Sequence, residues 1–243
     1  MTDTMLAKVR KLLAKAEDPG CTPEEAAALN DKAAELIAKY GMDAALLAAA
    51  DPLRDPVGDR VIAVQSPYAL DKAGLLATVA GALRCRSVRR KVWVGDGYAY
   101  TMHLFGFASD LERTELLYTS LLVQASYGIA GAQVPEWESA AAFRRSWLVG
   151  FTYAVGQRLV RAEQRASSDA ESVRTGPSVA LVLADRGTKV DRRVDEAYPR
   201  LRPSAPRRLQ GSGIQGGYAA GERADLGGAR VGRGTPRGLA HDR

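Results

Sequence analysis

The sequence is poor in the residues that bind metals and form redox pairs. It contains two histidines and two cysteines in 243 residues, and neither type has the spacing of a zinc site. His103 alternates with strand neighbours, which favours a packed or hydrogen-bonded strand residue, and His241 is close to the C-terminus. We therefore predict no metal site. Because no secretory segment is found at the N-terminus, we expect Cys21 and Cys85 to be reduced thiols and the protein to be cytoplasmic.

Long apolar runs and the common catalytic motifs are also missing. The longest apolar stretches, at residues 44–50 and 75–83, are much shorter than the roughly 20 residues that a membrane-spanning helix needs. Residues 211–216 match the pattern G-x-G-x-x-G, but no buried strand precedes them. We interpret them as a flexible glycine-rich segment and not as a dinucleotide site. The sequence therefore predicts no membrane association, no cofactor and no catalytic residue.

What the chain does have is positive charge, concentrated towards its C-terminus. The net charge is +6, and residues 172–243 carry 14 Lys and Arg against 7 Asp and Glu, whereas residues 1–60 carry 8 against 11. Such an uneven distribution favours a polyanionic partner for the C-terminal part. The alternative is a basic segment that keeps the chain in solution and binds nothing in particular.

Hydrophobic periodicity and turn residues predict an α+β fold in four sections. Residues 1–50 are predicted to form an N-terminal antiparallel helical hairpin, and residues 51–58, with two prolines and a glycine, a linker. Residues 59–198 are predicted to form a core with a small antiparallel sheet, a covering helix and two long helices. Residues 199–243 are rich in Gly, Pro and Arg. They are predicted to form a largely disordered basic tail, with a short helix at Ile214–Leu226 as the one exception.

The N-terminal hairpin has clear start and stop signals for its helices. Thr22 is suited to an N-cap, Pro23 stands at the first helical position, and Glu25 at the third completes a capping box. Gly41 stands where a left-handed C-terminal cap is expected, so that a further short helix follows it. The predicted helices are Met5–Glu17, Pro23–Tyr40 and Asp43–Ala50.

The core section is predicted to contain three strands and at least three helices. The turn Gly95-Asp96-Gly97 indicates a β-hairpin, and Ser109 with Glu112 indicates a capping box at the start of a long helix. Residues 179–183 are apolar and fit either a helix or a strand. The predicted strands are Arg60–Gln65, Arg86–Val94 and Tyr98–Phe107. The predicted helices are Asp71–Arg84, residues 109–128 and Trp137–Ala166. Gly150, inside the last of these, indicates close packing against a neighbour.

Three blocks of the sequence carry a family resemblance. The first has the pattern K-L-L-x-x-A…E-A…K-A-x-x-L-x-x-K-Y-G and runs from Lys11 to Gly41. The second lies within residues 143–159, and the third is Gly217–Gly221. Together these blocks resemble an actinobacterial and phage family catalogued only as a domain of unknown function. The resemblance implies an α+β fold but no established activity, so it assigns no catalytic residue.

The strongest candidate for a binding surface is the second predicted strand with its hairpin partner. Five positive charges fall within eight residues, and aromatic residues follow on both strands. Basic side chains neutralise phosphates and aromatic faces stack on unpaired bases, so the combination is typical of a platform for single-stranded nucleic acid. The alternative is that the charges protect an edge strand from aggregation and the aromatics are core. The candidate residues are Arg84, Arg86, Arg89, Arg90, Lys91, Trp93, Tyr98 and Tyr100, with Arg233 and Arg237 in the tail.

Three functions remain open from the sequence. The first is a non-enzymatic nucleic-acid-associated protein that uses the basic strand and the basic tail. The second is a protein-interaction or scaffold module in which the N-terminal helical pair docks on a protein partner; acidic residues on its second helix, such as Glu24 and Asp31, argue against DNA recognition there. The third is an enzyme of unrecognised type, which a cleft that brings His103 together with an acid would favour.

Overall fold

The computed structural model of the protein describes residues 22–95, 97–173, 176–202, 209–224 and 226. These residues form six α-helices, a short 3-10 helix at Pro52–Arg54 and three strands, which confirms the predicted α+β fold. The helices are α1 (Pro23–Ala50), α2 (Ala69–Ala82), α3 (Ala108–Gly131), α4 (Ala140–Ser172), α5 (Val179–Ala197) and α6 (Ile214–Glu222). The strands are β1 (Val57–Val64), β2 (Arg86–Val94) and β3 (Gly97–Phe107). Outside the described residues lie the predicted helix Met5–Glu17 and the predicted contacts Arg233 and Arg237.

The three strands form an antiparallel sheet in the order β1-β3-β2. β2 and β3 make the predicted hairpin, and β2 has the bounds that the sequence predicts. Gly95 adopts a φ of +60° in the turn, a left-handed conformation that glycine reaches without steric cost. β1 begins at Val57 and not at the predicted Arg60, because β3 is long enough to pair with it as far as Phe107.

The sheet separates two hydrophobic clusters, because successive side chains of a strand point to opposite faces. Met102 and Leu104 of β3 point into the main core, which helices α1 to α4 complete. On the other face Phe105 packs against Val190 and Val194 of α5. The central strand β3 is therefore covered on both sides over this stretch.

α1 begins as predicted but does not end at Gly41. The hydroxyl oxygen of Thr22 accepts from the backbone N–H of Glu25 at 3.2 Å, and the Glu25 carboxylate accepts from the Thr22 N–H at 2.9 Å, which confirms the capping box. The helix then continues to Ala50, so the predicted cap at Gly41 and the separate short helix after it are wrong. Gly41 instead leaves room for Arg113 of α3, whose guanidinium lies where a Cβ would be.

The predicted capping box at Ser109 is also wrong. α3 begins at Ala108 with Phe107 as its N-cap, whose side chain makes no capping hydrogen bond. Ser109 donates its backbone N–H and its hydroxyl to the carboxylate of Asp55, at 2.8 and 2.7 Å. A carboxylate from another segment thus takes the place of the cap, at the positive end of the helix dipole where negative charge is favoured.

Two C-terminal segments fold against the core. Residues 179–183, which fit either a helix or a strand by sequence, open α5 as a helix. The predicted short helix is confirmed as α6, which lies so close to α4 that a Cβ at Gly150 or Gly217 would overlap a backbone oxygen of the facing helix. Residues 211–216 are therefore a packed entry into α6, and the prediction that they are flexible is wrong. Residues 203–208 and 227–243 of the predicted tail lie outside the described part.

Candidate functional site

The basic strand does not present its charges on one surface. The register of β2 on β3 places Arg86 and Arg90 on the face of the sheet that α5 covers. Arg89 and Lys91 lie on the opposite face, and Trp93 shares that face with them. The two-residue period of a strand thus divides the cluster of charges that the sequence predicts as one surface.

The end of the β2–β3 hairpin carries an exposed aromatic pair. Trp93 and Tyr98 are directly opposite each other, with ring centroids 4.6 Å apart in an edge-to-face arrangement. The ammonium group of Lys91 lies 3.4 Å from the centre of the Tyr98 ring, which is a cation–π contact. Trp93 is 60% exposed and Tyr98 is 55% exposed, so neither ring belongs to the core. This end of the hairpin therefore offers aromatic and cationic groups to the solvent on the same face.

Three other residues of the predicted surface lie apart from this exposed end. Arg84, in the turn before β2, is mostly buried and pairs with Glu163 of α4 at 2.5 Å. Arg86 makes a two-point ion pair with Asp191 of α5, at 2.6 and 3.2 Å. Tyr100 is partly buried and packs against the main core. The structure therefore brings together Arg89, Lys91, Trp93 and Tyr98, with Arg90 exposed on the other face of the same strand.

Arg113 of α3 is the centre of a network of buried charges. Its guanidinium donates to Asp110 and to Glu163, both at 2.6 Å, and to the carbonyl oxygen of Ile37 in α1 at 3.1 Å. Burial disfavours the charge of Arg113, but the carboxylates of Glu163 and Asp110 outweigh it and hold the pKa of Arg113 above its usual value. The arginine thus ties α1, α3 and α4 together.

The second oxygen of Asp110 connects this network to α5. Arg186 donates to Asp110 at 2.9 Å and to Asp55 at 2.8 Å. Burial works to raise the pKa of Asp110, but the positive charges of Arg113, Arg84 and Arg186 prevail and lower it. Because each carboxylate here accepts from an arginine of another turn or helix, the network is suited to holding helices together.

His103 lies between an acid and a phenol on the face that α5 covers. Its Nε2 is 2.9 Å from Oδ2 of Asp59 in β1, and its Nδ1 is 2.7 Å from Oη of Tyr198, the residue that follows α5. Arg193 of α5 pairs with the other oxygen of Asp59 at 3.0 Å. The hydrogen bond from His103 lowers the pKa of Asp59 against the opposing effect of burial, and Arg193 adds to the lowering. The sequence does not single out Asp59 or Tyr198, because only the fold brings these distant positions together.

Other features that catalysis often uses are lacking in the described ranges. No group of three or more His, Cys, Asp and Glu residues there is arranged to hold a metal ion. The same part of the chain has no helix that combines the length and apolar character needed to cross a membrane.

Cys85 is buried, and burial together with the nearby Asp110 raises its pKa to about 12. Its thiol is therefore protonated and a poor nucleophile at neutral pH.

The second helix of the predicted N-terminal pair is part of the core. Ala33, Ile37 and Met42 of α1 are buried, and the helix packs against α3, α4 and α5. Its outer side carries charged residues, among them Lys32 and Glu35, which pair with each other at 2.7 Å. Docking of a protein partner on the N-terminal helical pair stays a prediction.

Comparison with known proteins finds a family match only for the N-terminal part of the chain. Residues 4–44 match a family described as a protein of unknown function (DUF2786). The match includes the first block of the resemblance and most of α1, and it does not extend to the blocks at 143–159 and 217–221. No curated protein and no solved structure matches the chain. The N-terminal segment is therefore similar to a family of unknown function, and this similarity assigns no activity to it.

Proposed function

We propose that the protein binds single-stranded nucleic acid through the exposed end of its β2–β3 hairpin. The observation that carries the proposal is the joint exposure of Trp93 and Tyr98 beside Lys91 on one face of the sheet. We expect this binding to take place in the cytoplasm, and the family resemblance points to an actinobacterial or phage protein.

Trp93 is the residue best suited to stack on a base. One face of the Tyr98 ring is occupied by the ammonium group of Lys91, whereas the indole of Trp93 is the more exposed of the two rings. Stacking of a base on an aromatic side chain contributes about 1–3 kcal/mol and tolerates any base, because every base has a π-face. We therefore expect binding with little sequence preference.

The charges of β2 are placed to follow a phosphate backbone along the edge of the sheet. β2 is an edge strand in the described sheet, and Arg89, Arg90 and Lys91 are all exposed. Side chains of both faces can reach around an open edge, so the division of these residues between two faces does not prevent a shared contact. Each phosphate contact on a single strand makes the slope of log affinity against log salt concentration more negative by about 0.7.

The competing explanation is purely structural. A cross-strand pair such as Trp93–Tyr98 stabilises a hairpin by about 0.2–1 kcal/mol, and charges on β2 discourage edge-to-edge aggregation. Both effects change stability or solubility, but neither predicts affinity for an oligonucleotide.

The test is a titration of the full chain with labelled single-stranded and double-stranded oligonucleotides over a series of salt concentrations. Trp93→Leu keeps apolar bulk but removes the stacking face, and we expect it to weaken single-strand binding about 5- to 150-fold. Trp137→Leu is the matched control, because Trp137 is 80% exposed and belongs to the α3–α4 loop and not to the hairpin. Equal weakening by both variants would contradict a stacking site at Trp93.

A second pair of variants tests the charges. Arg89→Gln combined with Lys91→Gln should reduce the magnitude of the salt slope by about 1.4. Lys32→Gln combined with Lys189→Gln removes the same charge elsewhere and should leave the slope nearly unchanged. Lys32 and Lys189 are exposed on α1 and α5. Absence of binding by the wild type at low salt would overturn the proposal. So would binding that survives the hairpin variants and is lost in Arg233→Gln with Arg237→Gln.

A further inference from the structure

His103 is positioned to act as a base for the phenol of Tyr198. The pKa of Asp59 is lowered, so its carboxylate is ionised at neutral pH and only accepts hydrogen bonds; Nε2 of His103 must carry the hydrogen that joins them. In the neutral imidazole Nδ1 is then the acceptor, and Oη of Tyr198 donates to it over 2.7 Å. A nucleophile within hydrogen-bond reach of a base, with the base oriented by a third group, is the arrangement that activates nucleophiles in enzymes.

Exposed arginines on β2, on α5 and after Tyr198 favour an anionic substrate, although Arg193 is shared between Asp59 and Glu196, at 3.0 and 3.7 Å. Arg193 lies against Asp59 with nearly half of its side chain exposed. Arg90 is exposed on the same face of the sheet. It lies two residues along β2 from Val88, which pairs with His103. Arg200 and Arg202 follow Tyr198 in exposed chain. Arginine binds phosphate oxygens through two parallel N–H groups, so this setting suits a phosphate ester.

We propose that Tyr198 is a catalytic residue that attacks the phosphorus of a phosphodiester, with His103 as its base and Asp59 as the positioning residue. The identification of the diester as a nucleic-acid strand rests on the proposed function. The reactive phenol itself rests on the two hydrogen bonds of His103, 2.7 Å to Tyr198 and 2.9 Å to Asp59, and is independent of the exposed aromatic pair at the end of the hairpin.

The reaction is a transesterification that needs no other reactant. Oη of Tyr198 forms a bond to phosphorus while its proton passes to Nδ1 of His103. The bond between phosphorus and one ester oxygen breaks, and that oxygen leaves as an alcohol after it takes the proton from the imidazolium. The diester keeps its single negative charge, and the nucleotide becomes linked to the protein through a phosphotyrosyl bond. Asp59 stabilises the imidazolium that exists between the two proton transfers.

The proposed reactive group and the proposed binding surface are separated along β3. His103 and Tyr98 are five residues apart on this strand, which corresponds to about 17 Å at roughly 3.4 Å per residue. They also lie on opposite faces of the sheet by their register. A strand held at Trp93 therefore has to pass around the edge at β2, where Arg90 is exposed, to reach Tyr198.

The test uses a small activated diester, bis(4-nitrophenyl) phosphate, so that it does not depend on oligonucleotide binding. Attack by Tyr198 releases one equivalent of 4-nitrophenolate and leaves a phosphoryl adduct on the tyrosine, which peptide mass spectrometry locates. Tyr198→Phe should abolish the adduct and keep the ring that packs edge-on to Phe105, 5.9 Å between centroids. Tyr127→Phe is the matched control, because Tyr127 is an exposed tyrosine on α3, and it should react as the wild type does.

The pH dependence separates a base from a purely structural partner. With His103 as the base, the wild type should form the adduct at pH 7.5, where a free phenol is almost entirely protonated. In His103→Gln we expect a rate about 100-fold lower at pH 7.5, which alkaline pH should partly restore because hydroxide can then take the proton of the phenol. Asp59→Asn should lower the rate at least tenfold at pH 7.5 in a protein that is still folded.

The outcomes are distinct from those of the binding test. An adduct confined to Tyr198, with the pH profile shifted in His103→Gln, supports the inference whether or not oligonucleotides bind at Trp93. A folded wild type that forms no adduct, or one that labels Tyr127 as readily as Tyr198, overturns it. The three residues would then act only to hold the end of α5 on the sheet. Loss of oligonucleotide affinity in Trp93→Leu with unchanged labelling of Tyr198 would show that the two sites are separate.

Discussion

Gly41 of α1 lies against the guanidinium of Arg113 of α3, so closely that a Cβ at position 41 would overlap its central carbon. The contact explains why a glycine stands in the middle of a helix, where it costs about 1 kcal/mol relative to alanine. Helix α1 gives up that stability, and the buried arginine gains the space to reach the carbonyl oxygen of Ile37. Gly41, which is typical of a helix end in the sequence, thus marks the point where α1 contacts α3.

Gly41→Ala should destabilise the protein. Arg113 cannot move aside freely, because it is held by two carboxylates in the interior. We expect a loss of about 1–3 kcal/mol of unfolding free energy, in the range of an overpacked core. Gly74→Ala is the matched control, since Gly74 lies within α2 with open space beside it and should gain up to about 1 kcal/mol. Urea unfolding of both variants measures the change in unfolding free energy. A stabilised Gly41→Ala variant would contradict the close contact between Gly41 and Arg113.

Glu163→Gln should be more damaging than any exposed charge change. It leaves Arg113 and Arg84 without the carboxylate that both contact, and removal of one partner of a buried ion pair costs about 3–5 kcal/mol. The side chain keeps its shape, so the loss measures charge and not volume. Asp185→Asn is the comparison, because the exposed pair of Asp185 with Lys189 should contribute at most about 0.5 kcal/mol. Similar unfolding free energies for the two variants would mean that the buried network does not stabilise the fold.

Acid should weaken the protein through Asp110. The pKa of this carboxyl is lower in the folded state than the ordinary value of 3.8, so the unfolded chain binds its proton first as the pH falls. The stability that Asp110 contributes is therefore fully present above about pH 5 and is lost below about pH 4. Urea unfolding between pH 7 and pH 2.5 measures it. In Asp110→Asn the acid part of the curve should be flatter, from a lower starting value; an unchanged slope would assign acid sensitivity to other carboxyls.

The elements of the fold follow largely from local patterns. The β2–β3 hairpin was predictable because a Gly-Asp-Gly turn separates two runs of β-forming residues, and the start of α1 was predictable because Thr22 and Glu25 complete a capping box within four residues. The wrong predictions concern residues whose hydrogen-bond or packing partners lie far away in the sequence. Ser109 is bound by Asp55, 54 positions away, and no local pattern contains that partner.

The candidate surface shows a different limit. The division of the basic strand between two faces was already contained in its two-residue period, so that Arg89 and Arg90 were bound to point apart. The exposure of Trp93 was not contained in the sequence, because it depends on where the covering helices end. The contact of Asp59 and Tyr198 with His103 depends on the whole topology, since β1, β3 and the end of α5 must meet on one face.

Cys85 should be unreactive in the folded protein. Its Sγ is buried 3.6 Å from Oγ1 of Thr114, and its pKa is raised to about 12. In a Cys21→Ser background Cys85 is the sole thiol. We expect iodoacetamide at pH 8 to modify it slowly in buffer and completely in 6 M urea, where the thiol returns to its ordinary pKa of about 8.5. Modification at equal rates in both conditions would mean that Cys85 is accessible in the native state.

Gly217→Ala should detach α6 from α4. A Cβ at position 217 would overlap the backbone oxygen of Trp147, and a backbone atom inside α4 cannot give way as a side chain would. Gly216→Ala tests the adjacent position, where a Cβ would make only an ordinary contact of 3.5 Å with the Trp147 ring. Helix propensity favours alanine at both positions, so the two variants differ only in packing.

The separation of α6 can be followed through Trp147 when the two exposed tryptophans are replaced by phenylalanine. Trp147 is buried against this helix, so Gly217→Ala should shift its emission to longer wavelength, and Gly216→Ala should not. Detachment should also speed cleavage by trypsin at the exposed Arg223, because Arg158 would no longer hold the carbonyl oxygens of Gly221 and Ala224, now at 3.0 and 2.6 Å. Unchanged emission and unchanged cleavage in Gly217→Ala would show that α4 and α6 can move apart without loss, contrary to the glycine-mediated contact.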